Sequence, residues 1–372
     1  MSQALPSIGR VLSLDQFRGY TVAGMFLVNF IGSFVFIQET LPVLKHWNKY
    51  FSYADSIMPH FFFAIGFAYR LTFMKRLEKD GVQAAYWHAI KRNLSLLLVA
   101  FLIHHLDGRY DKWADLQKTG VWGFLTNSFQ RNFFQTLTHI AVTSFWILPV
   151  IRLSASWRIG WLIFSAVLFQ FLSQVWYYDW VMKRPGIDGG PLGFLTWTIP
   201  MIAGTLVYDL TQSKPEKFLG PLVLWGGLVC CLGYGISCMN RVTTPNHLDG
   251  LSSVLVEPPF FAPSKPVNIW TMSQRAGSVS YLTFATGFSL LVFALFHVLC
   301  DRMKVLNLGM FRTFGTNALA GYILHELVAE AVKPLAPKDS PGWYVAGIFL
   351  FYFMLCWVIL RAMEKQKLIL KL

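Results

Sequence analysis

A chain of 372 residues that is 55% hydrophobic and only 14% charged is not an ordinary soluble domain, which carries roughly 25% charge. Its net charge of +13 does not point to nucleic acid, because the Lys and Arg residues are dispersed between apolar runs and do not cluster on one face. The cysteines Cys230, Cys231, Cys238, Cys300 and Cys356 nearly all fall inside apolar segments, where small buried hydrophobes are a simpler account than a disulfide or a metal site.

In chain order, the apolar runs predict an all-α polytopic membrane protein, since a bilayer core needs about 20 mostly apolar residues per helix. About ten spans are expected, at roughly 17–38, 55–74, 92–108, 132–151, 157–176, 192–210, 218–238, 278–300, 310–332 and 343–362. The first run is too long for a cleavable signal peptide and has Asp15 and Arg18 at its mouth. Short basic connections such as Met74-Lys75-Arg76 and Asp301-Arg302-Met303-Lys304 put both termini in the cytoplasm by the positive-inside bias. Residues 1–372 read as a single membrane domain. The connection that holds His46 then faces outward. So do segments at 109–131 and 239–277, the second rich in Pro and aromatics (Glu257-Pro258-Pro259-Phe260-Phe261) and long enough for a lid or a tether.

Polar groups at membrane depth are costly and usually face a bundle interior or a wet cavity. Asn29 sits in the first span, and His46, Asn48 and Asp55 form an outer cluster. Arg131, Gln135 and His139 recur at helical spacing along one side of the fourth span, and Asn317, His325 and Glu326 lie in the ninth. With an unperturbed pKa near 6.5, His46 suits a general base or nucleophile, and Asp55 could orient its ring. The competing account is an interfacial histidine that anchors a helix beside Trp47. Asp55 and Pro59 equally suit the capped first turn of a helix. Asp15, Arg18 and Gly19 are either a salt-bridged helix end or a cytosolic anion site in which Arg18 takes a phosphate. His325-Glu326 is either a functional pair or a polar knot between helices. His60 and the adjacent His104-His105 show no zinc or iron spacing, and no phosphate loop, dinucleotide fingerprint or GxSxG occurs. No metal is expected.

The stretch Ser13 to Asn29 (SLDQFRGYTVAGMFLVN), then His46-Trp47-Asn48, then Ala54-Asp55-Ser56-Ile57-Met58-Pro59-His60, resembles the heparan-α-glucosaminide N-acetyltransferase family of membrane acyltransferases. The resemblance continues through Pro191-Leu192-Gly193 to Ala203-Gly204, Pro266 to Ser273, and Phe314-Gly315-Thr316-Asn317-Ala318 with Tyr322 and His325-Glu326. It implies transfer of an acetyl group from cytosolic acetyl-CoA to an amino sugar or other glycan on the far side of a membrane. His46 matches the catalytic histidine, Asn29 its polar partner, and Asp55 the aspartate before the proline. Asp15, Arg18, Arg131, Gln135, Trp270, Asn317 and His325 are the residues expected to hold acetyl-CoA, with Arg70 or Arg92 as further candidates for its phosphates. The family's Gln-Arg pair is not kept, because Gln135 is followed by Thr136 and the nearest arginine is Arg131. No counterpart of the animal enzyme's lumenal N-terminal domain is seen, so a bacterial inner membrane and an envelope glycan or small periplasmic sugar are expected. Direct transfer and an acyl-histidine intermediate both stay open, as do a homodimer and a proton-coupled transporter. The lipid bilayer is an expected partner and nucleic acid is not.

Overall fold

Where no water can satisfy the backbone, apolar runs must pair their own N–H and C=O groups, and helices do so within one segment. The computed structural model describes residues 12–104, 112–131, 133–183, 188–213, 215–243, 254–263 and 266–370, the side chains of 104 and 124–131 excepted. Among these residues every regular element is helical. In order they are α1 (Leu12–Ile31), α2 (Val35–Thr40), α3 (Ile57–Asp80), α4 (Val82–His104), α5 (Trp113–Arg131), α6 (Thr136–Ile147) and α7 (Ala155–Leu172). There follow α8 (Tyr178–Met182), α9 (Phe194–Ser213), α10 (Leu219–Val242), α11 (Val279–His297), α12 (Gly309–Thr316), α13 (Ala318–Val332) and α14 (Gly342–Lys365).

Among the described residues six stretches are long and apolar enough to cross a membrane: Ala54–Asp80, Ala155–Met182, Gly190–Ser213, Leu219–Val242, Val279–Arg302 and Gly342–Lys365. They coincide with six of the predicted spans. Burial sorts them into two shells. The windows on α3, α9 and α11 are 67%, 78% and 67% buried, whereas those on α7–α8, α10 and α14 are 17%, 28% and 22% buried. The first three therefore form the centre. The others turn Trp157, Val167, Leu224, Trp225 and Leu350 outward, as lipid-facing helices do.

Small residues let the central helices touch backbone to backbone. A Cβ on Gly66 of α3 would stand 1.9 Å from the Met201 carbonyl oxygen of α9, and one on Gly204 would stand 2.1 Å from the Phe63 carbonyl oxygen. Gly19 of α1 and Gly315 of α12 make a second such crossing, 1.9 Å from the Phe311 oxygen and 2.4 Å from the Asp15 oxygen. Rigid backbone leaves nowhere for a methyl group. Gly66→Ala is expected to destabilise the fold by about 1–3 kcal/mol, the usual cost of overpacking, seen as a lower unfolding temperature in detergent. Gly220→Ala, which meets open space, is the control.

Several sequence expectations need correction. The segment 109–131, expected as an outer connection, contains α5, which is broken at Gly120 (φ 61°, ψ 174°). Trp113, Val121 and Trp122 are exposed there, and interleaved Asp115 and Lys118 keep its hydropathy too low to read as a span. Residues 75–91 are not a loop either, because α3 and α4 run to either side of Gly81 (φ 84°). The ninth predicted span is two helices, α12 and α13, meeting at Asn317 (φ −117°, ψ 41°). Arg131, Gln135 and His139 do not share a helix. Helix α5 ends at Arg131, Gln135 stands before the first residue of α6, and only His139 lies within α6.

Candidate active site

Helix α1 carries Asn29 near its C-terminal end, and the chain then doubles back through residues 41–56 before entering α3. That return needs tight turns. A 3₁₀ turn starts at Pro42, Asn48 adopts φ 60°, and a second 3₁₀ turn spans Ala54–Ser56. Asn is among the few residues that tolerate the left-handed region. Its carbonyl accepts from the Arg275 N–H at 3.1 Å and from Ser273 Oγ at 2.7 Å, pinning the segment before α11 onto this loop. Phe260 N–H to the Phe51 carbonyl at 2.9 Å makes a second tie.

Asp55 is fully buried and organises the turn. Its Oδ2 accepts from Ser52 Oγ at 2.8 Å, the Ser52 N–H at 3.2 Å and the Trp47 N–H at 3.3 Å. Its Oδ1 faces His46 Nδ1 at 2.9 Å. The carboxylate thus points back into the loop and does not cap α3, whose N-cap position is Ser56. On the other side of the ring, His46 Nε2 lies 3.3 Å from Asn29 Oδ1, and Asn29 Nδ2 lies 3.2 Å from His325 Nε2. Four sequence candidates, Asp55, His46, Asn29 and His325, therefore form one continuous line.

His46 and His325 open into a cavity of about 520 Å³ whose walls also include Lys45, Glu326, Glu330 and Lys333. A second cavity, of about 640 Å³, lies toward the other end of α1 and is lined by Arg18, Arg76, His88 and Arg92. Arg18 and Asn29 are about 16 Å apart along the helix axis at 1.5 Å per residue. The cavities approach each other at α13, where Tyr322 lines one and His325 the other, within a single turn.

Of the other sequence candidates, Arg18 and Arg92 line the larger cavity. Asp15 lies in the first turn of α1, outside both linings. Arg70 does not join them, being committed to Asp209 and to the Ile151 carbonyl, with Arg158 on the same carboxylate. Asn317 donates to the Leu368 carbonyl at 3.2 Å and is not in the His46 cavity, although its neighbours Thr316 and Ala318 line the larger one. Trp270 braces the start of α11, its carbonyl taking Ser280 Oγ at 2.7 Å. Gln135 accepts at its carbonyl from the His139 N–H at 2.9 Å. The Arg131 side chain lies outside the described residues.

Sequence reasoning missed Ser52, Asp188 and Gln274. Asp188 is buried, adopts φ 63°, and accepts Gln274 Nε2 at 2.9 Å. The Asp188-Gly189-Gly190-Pro191 run was the available signal, because consecutive left-handed residues before a proline mark a constrained turn.

Burial alone would push the His46 ring down, but the hydrogen bond and charge of Asp55, reinforced by the charge of Asp188, hold it above 6.5. Burial raises Asp188 from 3.8 to about 7, against the opposing pull of Gln274 and His46. Both groups bind their proton more tightly folded than unfolded. Their stabilising contributions are full below the unfolded values and are lost as pH rises through the folded ones. The unfolding temperature is therefore expected to fall from about pH 4 to about pH 7 through Asp188 and, above pH 6.5, through His46 as well. A thermal melt series should show that slope flattened in Asp188→Asn. The chain matches no family model and no curated protein.

Proposed function

We propose that this chain is a transmembrane acetyltransferase of the heparan-α-glucosaminide N-acetyltransferase kind. It would take the acetyl group from cytosolic acetyl-CoA and deliver it to an amino sugar or other glycan across a bacterial inner membrane. The observation that carries this reading is the pairing of a basic cavity with a cavity lined by Asn29, His46 and His325, separated by one turn of α13. The reading includes ten spans, both termini in the cytoplasm, and His46 toward the outside.

Arg18, Arg76 and Arg92 supply three cations suited to the phosphates of the donor. A volume of about 640 Å³ falls within the roughly 300–1,000 Å³ of small-molecule sites. His46 takes the proton of the acceptor amine or hydroxyl as that atom bonds to the acetyl carbon. The carbon–sulfur bond then breaks, and the proton passes to the thiolate sulfur. In the two-step version His46 Nε2 first bonds the acetyl carbon, releasing CoA, and the acceptor then takes the group. Asp55 orients the ring and balances its charge in either version. Asn29 presents Oδ1 to His46 and Nδ2 to His325, and its Nδ2 would have to turn toward the substrate to donate to a developing oxyanion, a role for which a donor contributes about 2.7–4 kcal/mol elsewhere.

The test is a titration of the purified protein with acetyl-CoA, followed by thermal stability. Arg92→Ala is expected to raise the apparent Kd about tenfold, one charge-assisted contact. Unchanged affinity in Arg92→Ala, or no binding in the parent chain, refutes the donor site. Two cavities at opposite ends of α1 also suit a proton-coupled carrier. Release of free CoA from acetyl-CoA separates the two readings, since a carrier cleaves no thioester.

A further inference from the structure

We propose that His325 is a positioning residue that fixes which end of the Asn29 amide faces His46, so that the resting His46 ring is an imidazolium. The catalytic meaning of this inference rests on the acyl-transfer reading, but its hydrogen-bond argument does not.

The argument starts at a carbonyl. His325 Nδ1 meets the backbone oxygen of Tyr322, one turn back on α13. A carbonyl only accepts, so Nδ1 carries the hydrogen. With the single ring proton there, Nε2 has only a lone pair, and its partner at 3.2 Å must donate, which is Asn29 Nδ2. The opposite end of that amide is an acceptor, Oδ1, at 3.3 Å from His46 Nε2. His46 Nε2 must therefore bear a hydrogen. Nδ1 of the same ring faces Asp55 Oδ1, on a carboxylate whose Oδ2 already accepts three N–H and O–H donors. That is how an ionised carboxylate is held. His46 donates at both ends.

The frame around the relay resists rearrangement. Phe26 stacks on the His325 ring at 5.7 Å and 14°, and Lys333 Nζ donates to the Asn29 carbonyl at 3.3 Å. The alternative arrangement turns the amide over. Asn29 Nδ2 then donates to a neutral His46, and Oδ1 accepts from a doubly protonated His325. The two states have the same net charge and differ by one proton, moved from His46 Nε2 to His325 Nε2, and a half-turn of one side chain. In the second state His46 Nε2 has a lone pair, held by Asn29 Nδ2 until an incoming acceptor displaces it. The amide is thus a two-position gate on the basicity of His46.

Other charges face His46, and each is retained in the variants used to test the gate. The charge of Asp188 acts on the ring, and Lys45, Glu326, Glu330 and Lys333 line the cavity wall. Diethyl pyrocarbonate modifies only neutral imidazole. The pH midpoint of its reaction at His46, read by mass spectrometry on the full chain in detergent, therefore reports that ring directly. The His46 side chain is 33% exposed and within reach of the reagent. His325→Phe is expected to lower the midpoint by about one pH unit, the size of shift one lost hydrogen-bond partner produces. Asn29→Leu should lower it as far, and the double variant no further. His325→Gln, whose Oε1 can take over acceptance from Asn29, should keep the parent midpoint. An unmoved midpoint in His325→Phe overturns the proposal, as does a shift in His325→Gln equal to that in His325→Phe. If His325→Phe fails to fold, an unmoved midpoint in Asn29→Leu overturns it alone. The readout needs no acyl donor, so a protein that never cleaves acetyl-CoA can still show the shift.

Discussion

Replacing His46 with alanine is expected to lower acetyl transfer about 10²–10⁴-fold, the range contributed by a positioned general base, while acetyl-CoA still binds. The separation of effects follows from the geometry. His46 lines the cavity at the Asn29 end of α1, whereas Arg18, Arg76 and Arg92 line the other. The side chain is one-third exposed, so truncation leaves no large core void, but buried Asp55 loses the partner of its Oδ1, so a lower unfolding temperature accompanies the loss of transfer. Transfer is read as free thiol released from acetyl-CoA in the presence of an amine such as glucosamine. A variant that retained parental turnover would remove His46 from the chemistry.

Asp55→Asn is expected to have the second-largest effect, on activity and on stability together. The asparagine fits the volume but replaces one accepting oxygen with an NH₂ group. At Oδ2 that group would meet the Ser52 and Trp47 N–H donors, and at Oδ1 it would meet His46 Nδ1. With NH₂ at the Oδ2 position two donors face each other, and with NH₂ at the Oδ1 position His46 must give up its Nδ1 hydrogen and accept, which fixes the opposite tautomer. Breaking a buried pair costs about 3–5 kcal/mol, and the lower end applies because the His46 partner is 33% exposed. Where a buried aspartate orients a catalytic histidine, the same change costs about 10⁴-fold in turnover through the wrong tautomer. Equilibrium unfolding in detergent and steady-state turnover measure the two parts separately. Full activity with lost stability would make Asp55 a loop-builder only.

How much of this could be read in the chain differs from element to element. The six long apolar helices were legible because about 20 apolar residues in a row have few alternatives. Helix α5 was not, since its tryptophans are interleaved with Asp115 and Lys118. The break at Asn317 was also hidden, because Gly315, Thr316 and Asn317 are too short a polar interruption between apolar runs to mark a helix end. His46, Asn29 and Asp55 stood out as polar residues at the edge of greasy segments, and the fold brings them within hydrogen-bond reach. That His325 joins the same line was not legible. It lies 296 positions from Asn29, and only the packing of α13 against α1 joins them. Asp188 was hidden for a related reason, as it reaches the site through a left-handed turn whose value depends on the facing Gly277 and Gln274. Arg70 misled because a basic residue at a predicted helix end looks free, whereas Asp209 of α9 claims it.

The most direct test of transfer across the membrane separates donor and acceptor by a sealed bilayer. Protein reconstituted into vesicles, with acetyl-CoA outside and glucosamine trapped inside, is expected to produce N-acetylglucosamine in the lumen and free CoA in the outer medium. His46→Ala vesicles should produce neither. Product that forms only when both substrates share one side, or unmodified substrate that crosses without thioester cleavage, would contradict the account.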